Sequence, residues 1–391
     1  MNLKKRPYLI IPKLIQQPTW GGTYIPYLKS WSDRNILKNK RIGQSYELFG
    51  NSKIIFSINN SSDPGFLPEI GWADKSDILE DVFPFKIKTD YFTLSDIVHA
   101  FPNEVLGRSL FEKYGKMPLL IKINEAKGNS YQLHLNPLAK HSRWQPKAES
   151  WYYFEDGLIT FGIKSGINLD EYKKTCLAIE KEMKLLSKKV ITKEFSLPEA
   201  KNKASKFIKK LNPRQFVNLH QTKKNDVVDL SLGGIHHSWE EDPILCPKGN
   251  IVYEVQQDVM DPLCTIRSFD QGKFKDDGTV RKINIDDYFK LLDTDLSRND
   301  LDKMRQQKKE NNLLTTPFYS LDILEIKNRL QEKTNNSFVH LFVRKGEVEI
   351  CAKEGSIFLS SGHSCFIPEF TKLYEIKTKI PNSVILKTYI S

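Results

Sequence analysis

Cysteine is sparse in this chain. The five present, Cys176, Cys246, Cys264, Cys351 and Cys365, are an odd number, widely scattered and without a C-x-x-C pair. That pattern argues against a disulfide framework and a thiolate metal cluster, and it fits a reducing cytoplasm. Apolar runs are short, and none reaches the roughly 18 residues of a membrane span. Residues 1–15 start as a signal peptide would, with Lys4, Lys5 and Arg6. Pro12 and Lys13 then break the apolar run and no small-residue cleavage site follows, so export is not expected. Low-complexity tracts and repeats of fixed period are missing as well. No RNP-like, finger or helix-turn-helix signature accompanies the net charge of +11, so neither nucleic acid nor a membrane is expected as a partner. Many lysines fall between residues 170 and 212, mixed with glutamates at helical spacing, the pattern of a solvated helix face.

What is there is a chain of 391 residues, 39% hydrophobic and 11% aromatic, too apolar for disorder and long enough for two or three domains. Turn formers punctuate the first third: Pro18 to Gly22, Gly43, Asn59-Asn60 and Asp63-Pro64-Gly65. Short apolar runs between them, such as 53–58, read as strands. Two short helices are expected at 93–101 and 103–114, and strands at 118–124, 131–135, 150–154 and 158–164. Composition then changes. Residues 169–191 and 198–211 carry apolar positions at helical intervals and read as a helical insertion. Strands return at 216–219, 227–230 and 251–257. A polar stretch over 295–312 precedes a last unit, 338–391, whose alternating apolar residues predict a small antiparallel barrel.

The chemistry concentrates in three places. In Tyr131-Gln132-Leu133-His134-Leu135, strand alternation puts Gln132 and His134 on one face and the apolar three on the other. Glu149 follows, with Trp151 and Tyr153 as its alternation partners. Gly233-Gly234 then permits a tight turn before His236-His237. Two imidazoles, a carboxylate and an amide oxygen suit a borderline divalent ion, zinc first, with positions left open for water or substrate. Structural readings compete with this one. A buried histidine is commonly just hydrogen-bonded. Trp20 and Trp151 read as core aromatics, His340 and His363 as structural, and His99, His141 and His220 receive no role.

Trp20-Gly21-Gly22, Gly43-Gln44-Ser45-Tyr46-Glu47, Thr93-Leu94-Ser95 with Leu106-Gly107, and residues 118–123 open a series of short motifs. Gln132-Leu133-His134, residues 147–152, Gly233-Gly234-Ile235-His236, residues 254–257 and residues 266–270 complete it. Together, in this order, they resemble the type I mannose-6-phosphate isomerases over roughly residues 7–288. That family belongs to the cupins: mainly β, a metal-bearing jelly-roll barrel with a helical insertion, followed by a second, smaller cupin-like barrel. The resemblance implies a metal-bearing catalytic domain over 1–165 and 213–294, an insertion at 166–212, a linker at 295–314 and a C-terminal barrel at 315–391. It implies one zinc ion per chain on Gln132, His134, Glu149 and His236, an active-site arginine at Arg267, and lysines near substrate at Lys122 and Lys147. Glu254 and Arg143 are expected to contact the substrate, a hexose 6-phosphate. The family's reaction interconverts mannose 6-phosphate and fructose 6-phosphate in the cytoplasm, moving a proton alpha to a carbonyl through an enediolate. The chain departs from the family at Leu135 and Ser231, each standing where proline is usual, and at His237, which replaces a small residue. A metal-bearing cupin that senses sugar phosphates without turnover is the alternative, and an iron-dependent dioxygenase a third reading.

Overall fold

A computed structural model describes residues 2–17, 20–63, 65–72, 80–81, 91–128, 130–138, 143–238, 244–259 and 261–391. The readings at Pro18, Thr19, Pro64 and His141 lie outside them. The described residues are mainly β, in four sheets. A nine-stranded sheet runs in the order Arg305–Gln306, Val227–Asp229, Glu149–Tyr153, Asn250–Gln257, Leu119–Ala126, Ile42–Leu48, Lys13–Gln16, Glu69–Trp72, Glu80–Asp81. A five-stranded sheet runs Val217–Thr222, Gly157–Ile163, Gly234–Ser238, Tyr131–His134, Ile266–Phe269. Trp151, Tyr153, Val228 and Val252 of the first sheet pack with Ile159 and Phe161 of the second in one buried cluster, so the two sheets close face to face. This mainly β architecture has the paired sheets of the barrel expected from the sequence.

Alternation along Tyr131–His134 explains why helices lie outside this pair of sheets. Tyr131 and Leu133 point away from Gln132 and His134 and need apolar cover. The helix Leu169–Ile191 supplies it with Tyr172, Cys176, Ile179, Met183 and Leu186, spaced four, three, four and three residues apart so that they share one face. Burying each such side chain contributes about 1.5–3 kcal/mol. Asn168 caps this helix, its side chain accepting from the amides of Asp170 and Glu171. Ser196 and Glu199 form a capping box on the second helix, Leu197–Leu211, which ends at Asn212 in left-handed conformation.

Three local features go beyond the sequence reading. The helix expected over 103–114 is two helices, Pro102–Leu106 and Arg108–Tyr114, broken at Gly107. There φ is +88°, and a Cβ would stand 2.7 Å from the carbonyl oxygen of Asn336. Part of the polar stretch beginning at 295 is held against the nine-stranded sheet. Leu301 is fully buried beneath the nine-stranded sheet, and Arg305–Gln306 pairs with Val227–Asp229. Third, the strand Tyr8–Ile11 joins the C-terminal strands, pairing antiparallel with Ser364–Ile367 in an eight-stranded sheet. A four-stranded sheet, Arg329–Lys333, Leu373–Thr378, Glu347–Ala352, Gly355–Ser360, completes the second barrel.

Between the two barrels lies a fully buried ion pair, Lys29 Nζ to Glu47 Oε1 at 2.7 Å. Ser45 and Ser364 donate to the same carboxylate, and the Gly362 carbonyl accepts from Lys29. His340 and His363 are buried with local partners, the Tyr253 hydroxyl at 3.0 Å and the Lys29 carbonyl at 3.3 Å. All five cysteines are free thiols. No helix of the described residues is long and apolar enough to cross a membrane.

Candidate metal centre

The strand Tyr131–His134 lies between two neighbours, and its register lines up the site. On one side Gly234 pairs with His134 and His236 with Gln132. On the other, Arg267 also pairs with Gln132. Directly paired residues share a face of the sheet, so His236, Gln132 and Arg267 form a row across three strands with His134 one step along. The turn that sets this register needs its glycines. Gly233 has φ +79°, and a Cβ on it would lie 2.5 Å from the His134 carbonyl oxygen. Of the two adjacent histidines, His236 faces Glu149, whereas the His237 ring packs 4.0 Å from that of Tyr131.

The opposing sheet brings Glu149. Its Oε2 lies 3.6 Å from His134 Nε2 and its Oε1 lies 3.3 Å from His236 Nε2, and the two imidazole centroids are 5.0 Å apart. All three residues are buried, with ligand atoms within 4.8 Å of one another. Trp151 Nε1 donates to Glu149 Oε1 at 2.6 Å, and Lys147 Nζ contacts Oε2. Burial works to raise the Glu149 carboxyl, but the Lys147 ammonium beside it outweighs burial and holds it well below the usual carboxylate range. Burial, with Lys147 adding to it, pushes His134 well below the usual imidazole value, so its ring is neutral. His134 Nδ1 lies 2.8 Å from the Cys264 carbonyl, which can only accept, and this puts the proton on Nδ1. The Nε2 lone pair therefore faces an ionised carboxylate with no hydrogen between them. Among the described residues His134 Nε2 and both ring nitrogens of His236 make no hydrogen bond. A buried convergence of lone pairs and negative charge is unfavourable alone and suits a divalent cation. Gln132 lines the same cavity, so the donor set fits zinc.

That cavity measures about 510 Å³, a size suited to a small molecule, and among the described residues seven basic and five acidic side chains line it. Lys122 Nζ lies 3.1 Å from Glu254 Oε1, and Asn124 donates to Glu254 Oε2. Lys147 also donates to Gln256 Oε1 at 3.1 Å. Burial lowers Lys122 and Lys147, but Glu254 and Glu149 respectively outweigh it and raise both above the ordinary lysine value. Both are ammonium donors rather than bases. Glu254 is raised by burial and by Glu149, against the pull of Lys122.

Arg267 Nη2 pairs with Asp261 Oδ2 at 2.6 Å and its Nε donates to Ser130 Oγ at 3.0 Å. The structure thus gathers Gln132, Glu149, His236, Lys122, Lys147, Glu254 and Arg267 around one cavity, with His134 behind them in the cluster it forms with Glu149 and His236. Arg143 stands apart: it is exposed, pairs with Asp287 at 2.9 Å and does not line the cavity. Its neighbourhood in sequence to Lys147 does not survive the bends between them. Trp20, read as a core aromatic, is partly exposed at the cavity wall, whereas Trp151 is core. Sequence reasoning missed Ser130, Lys273 and Arg281, which come from loops with no recognisable spacing, and Asp261, which opens a short helix.

A family model, the cupin domain of mannose-6-phosphate isomerase, matches residues 309–385. No curated protein matches. Among solved structures, the mannose 6-phosphate isomerase of Bacillus subtilis is 14% identical, with a TM-score of 0.63 over 98% of this chain and 99% of that one. A variant of the phosphomannose isomerase of Salmonella typhimurium is 12% identical, with a TM-score of 0.64 over 98% and 99%. A zinc-bound mannose 6-phosphate isomerase is likewise 12% identical, with a TM-score of 0.63 over 98% and 99%. The family match lies C-terminal to every motif read from the sequence, while the structural likeness spans both barrels. From end to end the chain has the fold of these mannose-6-phosphate isomerase structures, and residues 309–385 match the model of that family's cupin domain.

Proposed function

We propose that this chain is a zinc-dependent aldose–ketose isomerase that interconverts mannose 6-phosphate and fructose 6-phosphate in the cytoplasm. One observation carries the reading: His134, Glu149 and His236 converge with unpartnered ring nitrogens on a cavity that also holds Lys122, Lys147, Glu254 and Arg267. Gln132, His134, Glu149 and His236 would hold one zinc ion, which when bound supplies a Lewis acid for the sugar's carbonyl group. The surplus of basic side chains receives the phosphate dianion. Arg267, anchored by Asp261, donates to the oxygen on which charge develops in the enediolate. Glu254, whose carboxyl burial raises above its ordinary value, takes the proton alpha to the carbonyl and returns it to the neighbouring carbon. Lys122 at 3.1 Å steadies that carboxylate when it is charged. Lys147 keeps Glu149 ionised. The catalytic unit in this reading is residues 1–165 with 213–294, the helices of 166–212 cover its outer face, residues 295–314 connect it, and the barrel of 315–391 has no catalytic part.

Metal analysis with an isomerase assay on the purified chain tests this. The expected result is one zinc per chain and interconversion that stops on chelation and returns with zinc. Zinc-loaded protein inert toward every hexose 6-phosphate would overturn it, and tight sugar-phosphate binding without product would then favour the sensor. Iron in place of zinc would favour the dioxygenase.

A further inference from the structure

Ser130 is 2% exposed, and its hydroxyl oxygen receives two donors, one from each of two adjacent strands. Arg267 Nε donates at 3.0 Å and Gln132 Nε2 at 3.2 Å. A guanidinium has only donors, so the serine oxygen must accept from it, and the amide nitrogen takes the second lone pair. An amide side chain has one accepting and one donating end. With Nε2 tied to Ser130, Oε1 is the end left for a cation. We propose that Ser130 is a positioning residue: it fixes the orientation of the Gln132 amide for metal binding and couples that orientation to Arg267. Neither group can rotate without breaking a bond to the same oxygen. This inference rests on the metal-site reading above.

The test measures zinc affinity by competition with a chromophoric chelator in the wild type, Ser130→Ala, Ser130→Gly, Ser130→Thr, Gln132→Ala and Gln132→Ala/Ser130→Ala. Partners that orient metal ligands are worth about 10–100-fold in affinity. Ser130→Ala and Ser130→Gly are therefore expected to weaken zinc binding by at least about tenfold. Ser130→Thr, which restores a hydroxyl, should stay within about twofold of wild type, and in the Gln132→Ala background loss of the hydroxyl should change affinity by less than about twofold. The two hydroxyl-free variants are read together, with metal-free thermal midpoints as a folding check, so that failure of one to fold leaves the other to decide. Cobalt-substituted wild type and Ser130→Ala should also differ in visible absorption, because the fourth ligand is misaimed in the variant. Wild-type zinc affinity in Ser130→Ala, or an equal loss with and without Gln132, would overturn the proposal. So would a raised KM for the sugar phosphate with zinc affinity unchanged, which would make the hydroxyl a substrate contact. If instead the wild type itself holds no zinc, it is the metal-site reading that fails.

Discussion

The indole Nε1 of Trp151 donates a 2.6 Å hydrogen bond to Glu149 Oε1, two residues earlier on the same strand. Period-two alternation places both side chains on the cavity face, and the Trp151 ring also meets His236 nearly edge-on at 5.3 Å. One core aromatic thereby aims the carboxylate that faces both histidines. Trp151→Phe keeps most of the packing and removes the donor. We expect zinc affinity to fall about tenfold and stability by about 1–2 kcal/mol, read by chelator competition and urea unfolding.

Gly233 and Gly234 both have positive φ, but their surroundings differ. A Cβ at Gly233 would collide with the His134 backbone carbonyl, whereas one at Gly234 meets nothing within 4 Å. Gly233→Ala should cost at least about 3 kcal/mol and lower the bound zinc, since the strand bearing His236 must shift. Gly234→Ala should cost only about 1–2 kcal/mol of backbone strain and leave zinc content unchanged. Urea midpoints with metal analysis separate the two outcomes.

The Lys29–Glu47 pair is sealed from water between the barrels. Removing one partner of such a pair leaves an uncompensated charge, so Lys29→Met should destabilise by about 3–5 kcal/mol. Adding Glu47→Gln should recover part of that loss, because a neutral amide can accept from one of Ser45 and Ser364 and donate to the hydroxyl oxygen of the other. Zinc affinity of the folded fraction should not move. Denaturant curves of both variants check this.

Stability should fall on mild acidification. His340 is pushed by burial down to about 3, from an ordinary value of 6.5. Between those limits the unfolded chain binds a proton that the folded chain refuses. Stability is therefore complete above about pH 6.5 and declines by about 1.4 kcal/mol per pH unit as pH falls towards 3. Burial holds His363 and His237 low as well, and they act in the same direction. Urea midpoints at pH 7.5, 6 and 5 should show the decline, and His340→Gln should flatten it by about that amount per unit.

Much of this molecule is legible in the sequence wherever local periodicity meets a single burial direction. The helix Leu169–Ile191 is bounded as its apolar spacing predicts, because Asn168 caps one end and only one face packs. The faces of Gln132 and His134 follow from strand alternation alone. Local pattern is silent about what a loop brings back. Asp261 reaches Arg267 from a short helix whose position depends on neighbouring strands, and Ser130 gains its role only through a residue 137 positions away. Arg143 shows the converse: a cation near the site in sequence turns outward because Asp287 offers it a partner at the surface. The break at Gly107 is set by the distant Asn336 carbonyl, which no helical spacing foretells.

The pairing of Tyr8–Ile11 with Ser364–Ile367 has a consequence for biogenesis. A nascent chain exposes the first of these strands long before its partner has been translated, so its edge must wait for more than three hundred residues of synthesis. Closure of that sheet is a late, entropically expensive event, and contacts so remote in sequence slow the approach to the native state. Until then an apolar strand lies open to chaperones or to the same segment of another ribosome's product.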